Sequence, residues 1–384
     1  MLPCRPMRIA GAYALVAAIL AAVFAAGLLG GGYRAIERSD YMTYHVAARI
    51  VLDGDGDCLY EVACQAAAQR ELIGDEPTFA RGALPFNSPP WLAALVAPLG
   101  LLSLQAGFAL FTLIGLAVLG WGAWRVTAWP GASPAARGLA IVLILTAWPA
   151  VMGAVRGQST LAVVGLLGAS AAGSGGALGL ASLKPTLQPL WTSWLLLNRR
   201  WRELGLALAV AVGLILLSVV VVSPQALAAY PAHLLGVAAP DALGVHPEEM
   251  INWRGAAARL GAGPPLIAAG TAATLAVVGL VWWLSRSRIM AAASAFLATP
   301  LVIAHANQHE AILAALGVLL LVGAAGSNRA RVAVAAIATH AVLWVSPVLQ
   351  AESAEASAWL LFAAMLAWLI VAAYVARVDR SGGV

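Results

Sequence analysis

Charge is what this 384-residue chain has least of: 17 acidic and 22 basic residues make up 10% of it, where a soluble globular domain carries about 25%. Hydrophobic residues fill 62% of the positions and the mean hydropathy is +0.87, so a water-soluble fold is excluded and the chain is an integral membrane protein. Alternation is missing too. The apolar windows are continuous runs of about 15 to 23 residues, long enough to cross the hydrocarbon core as helices, whereas the strands of a membrane barrel alternate. A helix satisfies its own backbone hydrogen bonds there, so the spans are all-α. No fixed-period repeat and no attached soluble domain stand out, and residues 1–384 read as one membrane domain.

Lysine is nearly absent, at one against 21 arginines. The arginines gather at window ends, as Arg199, Arg200 and Arg202, Arg286 and Arg288, Arg329 and Arg331, and Arg377 and Arg380. Such clusters mark cytoplasmic edges, so the net charge of +5 does not describe a nucleic-acid face. The first window, Ile9 to Gly31, follows Arg5 and Arg8 and is too long for a signal peptide; it reads as an anchor with its N-terminus inside. Window length gives about twelve spans, at 9–31, 89–104, 106–125, 138–154, 159–173, 176–198, 204–222, 264–284, 289–304, 309–326, 330–346 and 358–377. Both termini then lie inside, and the outer loops are 32–88, 223–263 and a short turn near 305–309. The same count places Arg125 and Arg137 outside and Val155 to Thr160 inside, against the charge rule. Broken or re-entrant helices among the short windows are the alternative.

The first outer loop holds a large share of the polar groups: Asp40, His45, Arg49, Asp53, Asp55, Asp57 and Glu61. Val46, Ile50 and Val51 fall at helical spacing, which predicts a short amphipathic helix over 41–52 lying in the interface. The stretch from Arg70 to Phe79 predicts a second short helix and a turn. Asp53, Asp55 and Asp57 imitate the start of a calcium loop, but its sixth position, which needs Gly, is Cys58, and its twelfth, which needs a bidentate Glu, is Cys64. A solvated turn is the better reading. Cys58 and Cys64 share this loop, where an oxidising compartment lets them form a disulfide; two free thiols are the other reading.

Lys184 sits in the apolar stretch LASLKPTLQPLW, where a charge is expensive and points to a cavity with an anion as partner. Snorkelling to the interface is the plain alternative. Pro185 and Pro189 break or kink the span beside it. His305 and His309 are four apart, a spacing that on a helix shares one face and suits a metal, but the H-E-x-x-H pattern is absent and no metal is assigned. Gathered with Asn307, Gln308 and Glu310, the two histidines suit a phosphate or a sugar better. Asn252, Trp253 and Arg254 set an arginine beside a large ring, either to hold an anionic head group or as an ordinary interfacial belt.

Together these stretches resemble glycosyltransferase family 87, polyprenyl-phosphate-mannose-dependent mannosyltransferases with the GT-C membrane fold. The likeness rests on SDYMTYHVAARIVLDG after the first span, NSPPWLAALVAPLGLL, RGQST and LKPTLQPLWTSWLLLNRRWRE. Weaker echoes are NWRGAAARLG and the segment from Thr299 to Glu310. They stand in the family's order along most of the chain; Ser159 stands where Asn is frequent, and HANQHE replaces a shorter histidine-containing pair. The resemblance implies transfer of a hexose, most often mannose, from a polyprenyl-phosphate donor to a glycan or glycolipid acceptor at the outer leaflet, with inversion and without metal or other cofactor. Asp40 maps to the catalytic base, and His309, with His305 behind it, to the donor phosphate. Lys184, Arg254, Asn252, Gln158 and Arg156 are the further candidate substrate contacts.

The chemistry suits these residue types. An attacking hydroxyl loses one proton, so one carboxylate suffices as base. Hydrolytic sugar enzymes need a second carboxylic acid for the leaving oxygen. A lipid phosphate departs as an anion and needs cationic or hydrogen-bonding support instead. For Asp40 the plain alternative is a Ser39-Asp40 helix cap. The expectation is an enzyme of a bacterial plasma membrane with its site facing the periplasm or exterior, alanine and arginine usage pointing to a GC-rich organism. A lipid-linked sugar flippase or transporter is the competing class, with Lys184 and the histidines lining a path.

Overall fold

In the computed structural model the described residues are 5–30, 33–74, 83–128, 132–237, 245–285 and 287–381, and among them the chain is helical with no strand. Helix α1 (Arg5–Leu29) leads through α2 (Tyr33–Glu37) to the first loop, which folds as α3 (Asp40–Leu52) and α4 (Val62–Ile73) before α5 (Pro90–Val96). Then come α6 (Leu104–Val126), α7 (Pro134–Leu145), α8 (Trp148–Val155), α9 (Thr160–Ala171), the pair α10 (Gly175–Leu180) and α11 (Pro189–Leu197), and α12 (Trp201–Val221). After α13 (Pro224–Val237) and α14 (Trp253–Arg259) the chain closes with α15 (Pro264–Leu284), α16 (Arg288–Val302), α17 (Ala311–Ala324), α18 (Arg329–Leu343), α19 (Ser346–Glu352) and α20 (Ala354–Ser381). Side-chain caps set several starts: Ser103, Ser133, Ser174 and Asn252 each accept a bond from the amide three residues on, at 2.8 to 3.3 Å.

Among the described residues five stretches are long and apolar enough to cross a membrane: α6, α12, α15, Gly326–Glu352 with α18 and α19, and α20; α7 and α8, bent by 56°, make a sixth if taken as one span. The multi-pass helical class holds, and the count of twelve is not reproduced. Two of the predicted windows return to the end of the bundle they started from. Window 89–104 begins beside Tyr60, whose hydroxyl donates to Ser88 O at 2.8 Å, and ends with Gly100 against Ala48 and Leu52, all at the end that carries Asp40. Window 176–198 is a hairpin: α10 runs alongside α12, with Gly175 against Glu203 and Gly179 against Ala207, and α11 comes back to place Trp191 against Ser170.

These returns remove the charge conflict of the hydropathy count. Gly107 of α6 lies against Tyr41, so Arg125, 18 residues along a helix that rises 1.5 Å per residue, is about 27 Å away at the opposite end. There Arg137 donates to Trp124 O at 2.8 Å, and Arg288 forms a bidentate pair with Glu203 (2.7 Å for the Nη1 bond) and donates to the carbonyls of Ser170 and Ala171. The stretch 155–160 lies at the Asp40 end. Asp40 and Val155 to Thr160 therefore face the same side, and Arg125 and Arg137 join the other arginine clusters.

The core is knit by close helix approaches. Gly122 of α6 and Gly165 of α9 meet backbone to backbone, and a Cβ on either would overlap the other helix. Helix α3 differs from the interfacial helix predicted for 41–52: of its thirteen residues ten are buried, because α4, α5 and α6 enclose it and Ala47 and Ala48 let them come close. Of the stretch 70–79 predicted as a second helix and turn, residues 70–73 are the last turn of α4, which begins earlier, at Val62, and 75–79 lie outside the described residues. Two buried glutamines of α4 hold an extended segment. Gln65 accepts from Phe86 N at 2.7 Å and donates to Leu59 O at 2.7 Å, while Gln69 accepts from Leu84 N at 2.9 Å and donates to Leu84 O at 2.6 Å.

Candidate active site

The link 156–160 between α8 and α9 is the spine of the site. Gly157 adopts φ +62°, and a Cβ there would overlap Tyr41 and crowd Phe108, so only glycine lets the link press on the first turn of α3. Tyr41 N donates to Arg156 O at 3.1 Å and fixes the register. Gln158 Nε2 then donates to Asp40 Oδ2 at 2.6 Å, and Tyr44 donates to Gln158 Oε1 at 3.4 Å with Ser159 Oγ equally near. Asp40 is half-buried at the first position of α3. The cap alternative does not hold: Ser39 Oγ donates back to Ile36 O at 2.7 Å, and no side chain caps α3. Burial pushes the Tyr44 phenol above its ordinary range.

Directly below, at Thr160, lies a charge network. Lys184, at the tip of the α10–α11 hairpin, ion-pairs closely with Glu310 and donates to Thr160 Oγ1 at 2.8 Å; Thr160 donates to Glu310 Oε1 at 3.3 Å. His309 Nε2 bonds the same carboxylate at 2.8 Å, and Glu310 Oε2 accepts Asn307 N at 2.6 Å in a capping box at the start of the α17 segment. Glu310 has no solvent exposure. Lys184 thus turns inward to a carboxylate, and the snorkelling alternative is overturned. Its charge and that of Asp40 both act on Tyr44.

A third group adjoins through 303–307. Asn307 Nδ2 lies 3.2 Å from His305 Nε2, Ile251 N donates to Ala306 O at 2.9 Å, and Arg254 Nη1 reaches Ala304 O at 3.4 Å. Asn252 is buried, with its amide donating to Ile303 O at 2.7 Å and accepting Gly255 N at 2.8 Å. It is used as a helix cap and loop tie and is not open to a substrate. Residues 303–307 are not helical, so His305 and His309 do not share a helix face. Burial holds His305 down to about 4. Among the described residues no three His, Cys, Asp or Glu side chains gather as a metal site. Cys58 and Cys64 are joined as a disulfide, with Cα atoms 6.0 Å apart.

Besides this polar end the bundle holds an apolar slot of about 630 Å³ between α7, α17, α18 and α20. It runs from Ala132 and Arg329 at the arginine end to Ala147 and Ala311, the neighbours of Trp148 and Glu310. Trp148 Nε1 donates to Gln308 Oε1 at 3.1 Å, so the slot ends against the polar network.

The structure thus brings Asp40, Arg156, Gln158, Lys184, His305, His309 and Arg254 to one end of the bundle. Glu310 is the residue that the sequence reading passed over as a site member. The rule that singled out Lys184, an ionisable side chain beside an apolar span, applies to it equally.

A half-buried carboxylate and a hydrogen-bonded charge network thus stand at one end of an apolar, multi-pass helical bundle. The family model described as Glycosyltransferase family 87 matches residues 86–305, more than half of the chain, and the chain belongs to that family. It is a glycosyltransferase. The matched residues include Gln158, Lys184, Arg254 and His305; Asp40, His309 and Glu310 lie outside them. No curated protein and no solved structure gives a match to this chain.

Proposed function

We propose that this glycosyltransferase moves a hexose, mannose first among the candidates, from a polyprenyl-phosphate donor to the hydroxyl of a glycan or glycolipid, with inversion and with Asp40 as general base. The observation that carries this reading is the placement of Asp40: Gln158 takes one carboxylate oxygen, and among the described residues no side chain donates to the other. In the reaction the acceptor oxygen bonds to the anomeric carbon from the face opposite the phosphate. Its proton passes to the open oxygen of Asp40. The bond from the anomeric carbon to the phosphate oxygen breaks, and the lipid phosphate leaves as an anion without needing a proton.

Stabilising that anion falls to the groups across from Asp40. Lys184, His309 and Arg254 are the candidate donors to that anion, and Lys184 and His309 are both held in place by Glu310. The slot between α7, α17, α18 and α20 suits the hydrocarbon chain of the donor, because apart from Ser327, Arg329, Thr339 and His340 its lining is apolar and it stops where the polar network begins. No metal is assigned to the reaction. The site faces the periplasm or exterior of a bacterial plasma membrane in this reading, since the arginine clusters gather at the opposite end. Family membership favours the enzyme over the flippase or transporter alternative.

The test is purified protein with a short-chain polyprenyl-phosphate mannose and a membrane lipid extract as acceptor source, beside glucose, galactose and arabinose donors. Asp40→Asn should lower transfer by about 10²- to 10⁴-fold while the protein stays folded and keeps its donor affinity. Retained turnover in that variant removes Asp40 from the base role. Movement of intact donor lipid without sugar transfer removes the enzymatic reading of the site.

A further inference from the structure

We propose that Gln158 is a positioning residue for Asp40 and that Tyr44 sets the direction of its amide. The inference rests on Asp40 being the base.

An amide side chain has one accepting and one donating end, and which end faces the carboxylate decides whether the contact attracts or repels. The chain settles this with a second contact. Tyr44 Oη lies 3.4 Å from both Gln158 Oε1 and Ser159 Oγ; with Ser159 donating to Tyr44, the phenol donates to Oε1 and leaves Nε2 for Asp40 Oδ2. Reversed, the amide oxygen would face a carboxylate oxygen, acceptor against acceptor. Gln158 and Tyr44 are both buried, so water does not replace either contact cheaply.

The backbone makes the arrangement stiff. Gln158 N donates to Gly153 O at 2.8 Å, Tyr41 N donates to Arg156 O at 3.1 Å, and Gly157 permits the close approach. Asp40, Tyr41 and Tyr44 lie on one turn of α3, so the base, its tie to the link and the residue that orients the amide move as one body. The bond to Gln158 restricts the Asp40 side chain to orientations in which Oδ1 is the oxygen left for an incoming hydroxyl. Holding a base within a fraction of an ångström of its productive place is worth a large part of its effect.

Among the described residues several ionisable groups lie around Asp40. Lys184 at the hairpin tip and Tyr44 on α3 feel its charge, Arg156 of the link reaches Arg38 O at 3.5 Å, and Glu37 and Arg38 precede it in the chain. A second carboxylate in place of the amide would be the nearest like charge to Asp40. Two carboxylates in hydrogen-bond contact share a proton, and the first ionisation then belongs to the pair.

The test uses full-length protein in lipid nanodiscs, a short-chain polyprenyl-phosphate mannose as the donor probe and membrane lipid extract as acceptor source. Gln158→Leu, Gln158→Glu and Tyr44→Phe are compared with the unaltered protein and with Asp40→Asn. The expected results are a fall in kcat of about 10- to 100-fold for Gln158→Leu with the donor KM within twofold. Tyr44→Phe should lose less, in the same parameter. Gln158→Glu should move the acidic limb of the kcat profile upward by at least one pH unit and recover rate at high pH, a change that a merely structural role does not produce. Glu is isosteric with Gln, so this variant carries the test if Gln158→Leu does not fold. The proposal is overturned if Gln158→Glu keeps the unaltered acidic limb, or if Gln158→Leu keeps its kcat. Loss of activity in Asp40→Asn together with either result sinks the positioning role alone; an active Asp40→Asn sinks the base reading beneath it.

Discussion

Replacing Glu310 by alanine strips an unexposed carboxylate from four donors at once: the Lys184 ammonium, the Thr160 hydroxyl, the His309 ring and the Asn307 amide. Breaking a buried ion pair by removing one partner costs about 3–5 kcal/mol, and because the Lys184 side chain keeps 24% of its exposure, water reaches the orphaned ammonium and the lower half of that range applies. Glu310→Gln keeps an oxygen for Asn307 N and loses the charge, at about 2–3 kcal/mol. Lys184→Met costs less, about 1–2 kcal/mol, since the carboxylate retains His309 and Asn307. The double variant Lys184→Met with Glu310→Gln leaves no isolated charge, so its loss should fall short of the sum of the two by at least about 1 kcal/mol. Thermal unfolding followed by the intrinsic fluorescence of the 14 tryptophans, in one detergent at one scan rate, ranks the four proteins. Midpoints should rise in the order Glu310→Ala, Glu310→Gln, Lys184→Met. If the alanine variant melts with Lys184→Met, or if the double variant is additive, the buried network does not hold the site together as described.

Gly157→Ala should destabilise the protein by about 2 kcal/mol or more, because a left-handed backbone costs a side chain about 1–2 kcal/mol and Tyr41 must move as well; the melting midpoint and the transfer rate should fall together. Burial lowers His305 from 6.5 to about 4, so between those values the unfolded chain binds a proton that the folded chain refuses, and stability should fall as pH drops through that window, by up to about 1.4 kcal/mol per pH unit. Unfolding midpoints across pH 4 to 7 should fall less steeply in His305→Gln than in the unaltered protein, the remaining slope coming from His45 and His233, which burial also lowers. In a background without Cys4, Cys58 and Cys64, single cysteines at Ser133 and Ser327 should react with an impermeant maleimide from one side of the membrane and one at Asp53 from the other; Ser133 and Asp53 reacting from the same side would refute the shared face of Asp40 and 155–160.

Composition alone disclosed the membrane class, since 62% hydrophobic residues leave no soluble alternative. The loop carboxylate was legible as well, and Lys184 stood out by its cost. What hydropathy misses is direction: it measures how long an apolar run is, not whether the chain turns back within it. The windows at 89–104 and 176–198 were therefore counted as crossings. In the second, Pro185 and Pro189 around Lys184 were the visible sign of the turn. Helix α3 was misjudged for a related reason, because a helix enclosed on all sides and one lying in the interface carry the same spacing of Val46, Ile50 and Val51. The partner of Lys184 could not be read from spacing, since Glu310 stands 126 positions away and only the fold brings them together.

That separation bears on how the protein is made. Translation runs at about 5–20 residues per second, so the hairpin bearing Lys184 emerges from the ribosome roughly 6–25 s before the glutamate that compensates it. Over that interval a lone ammonium in hydrocarbon is a poor resting state, and the hairpin should wait at the aqueous surface. Seating it is then a late event in biogenesis, and the polar end of the bundle is completed only when the last third of the chain has arrived.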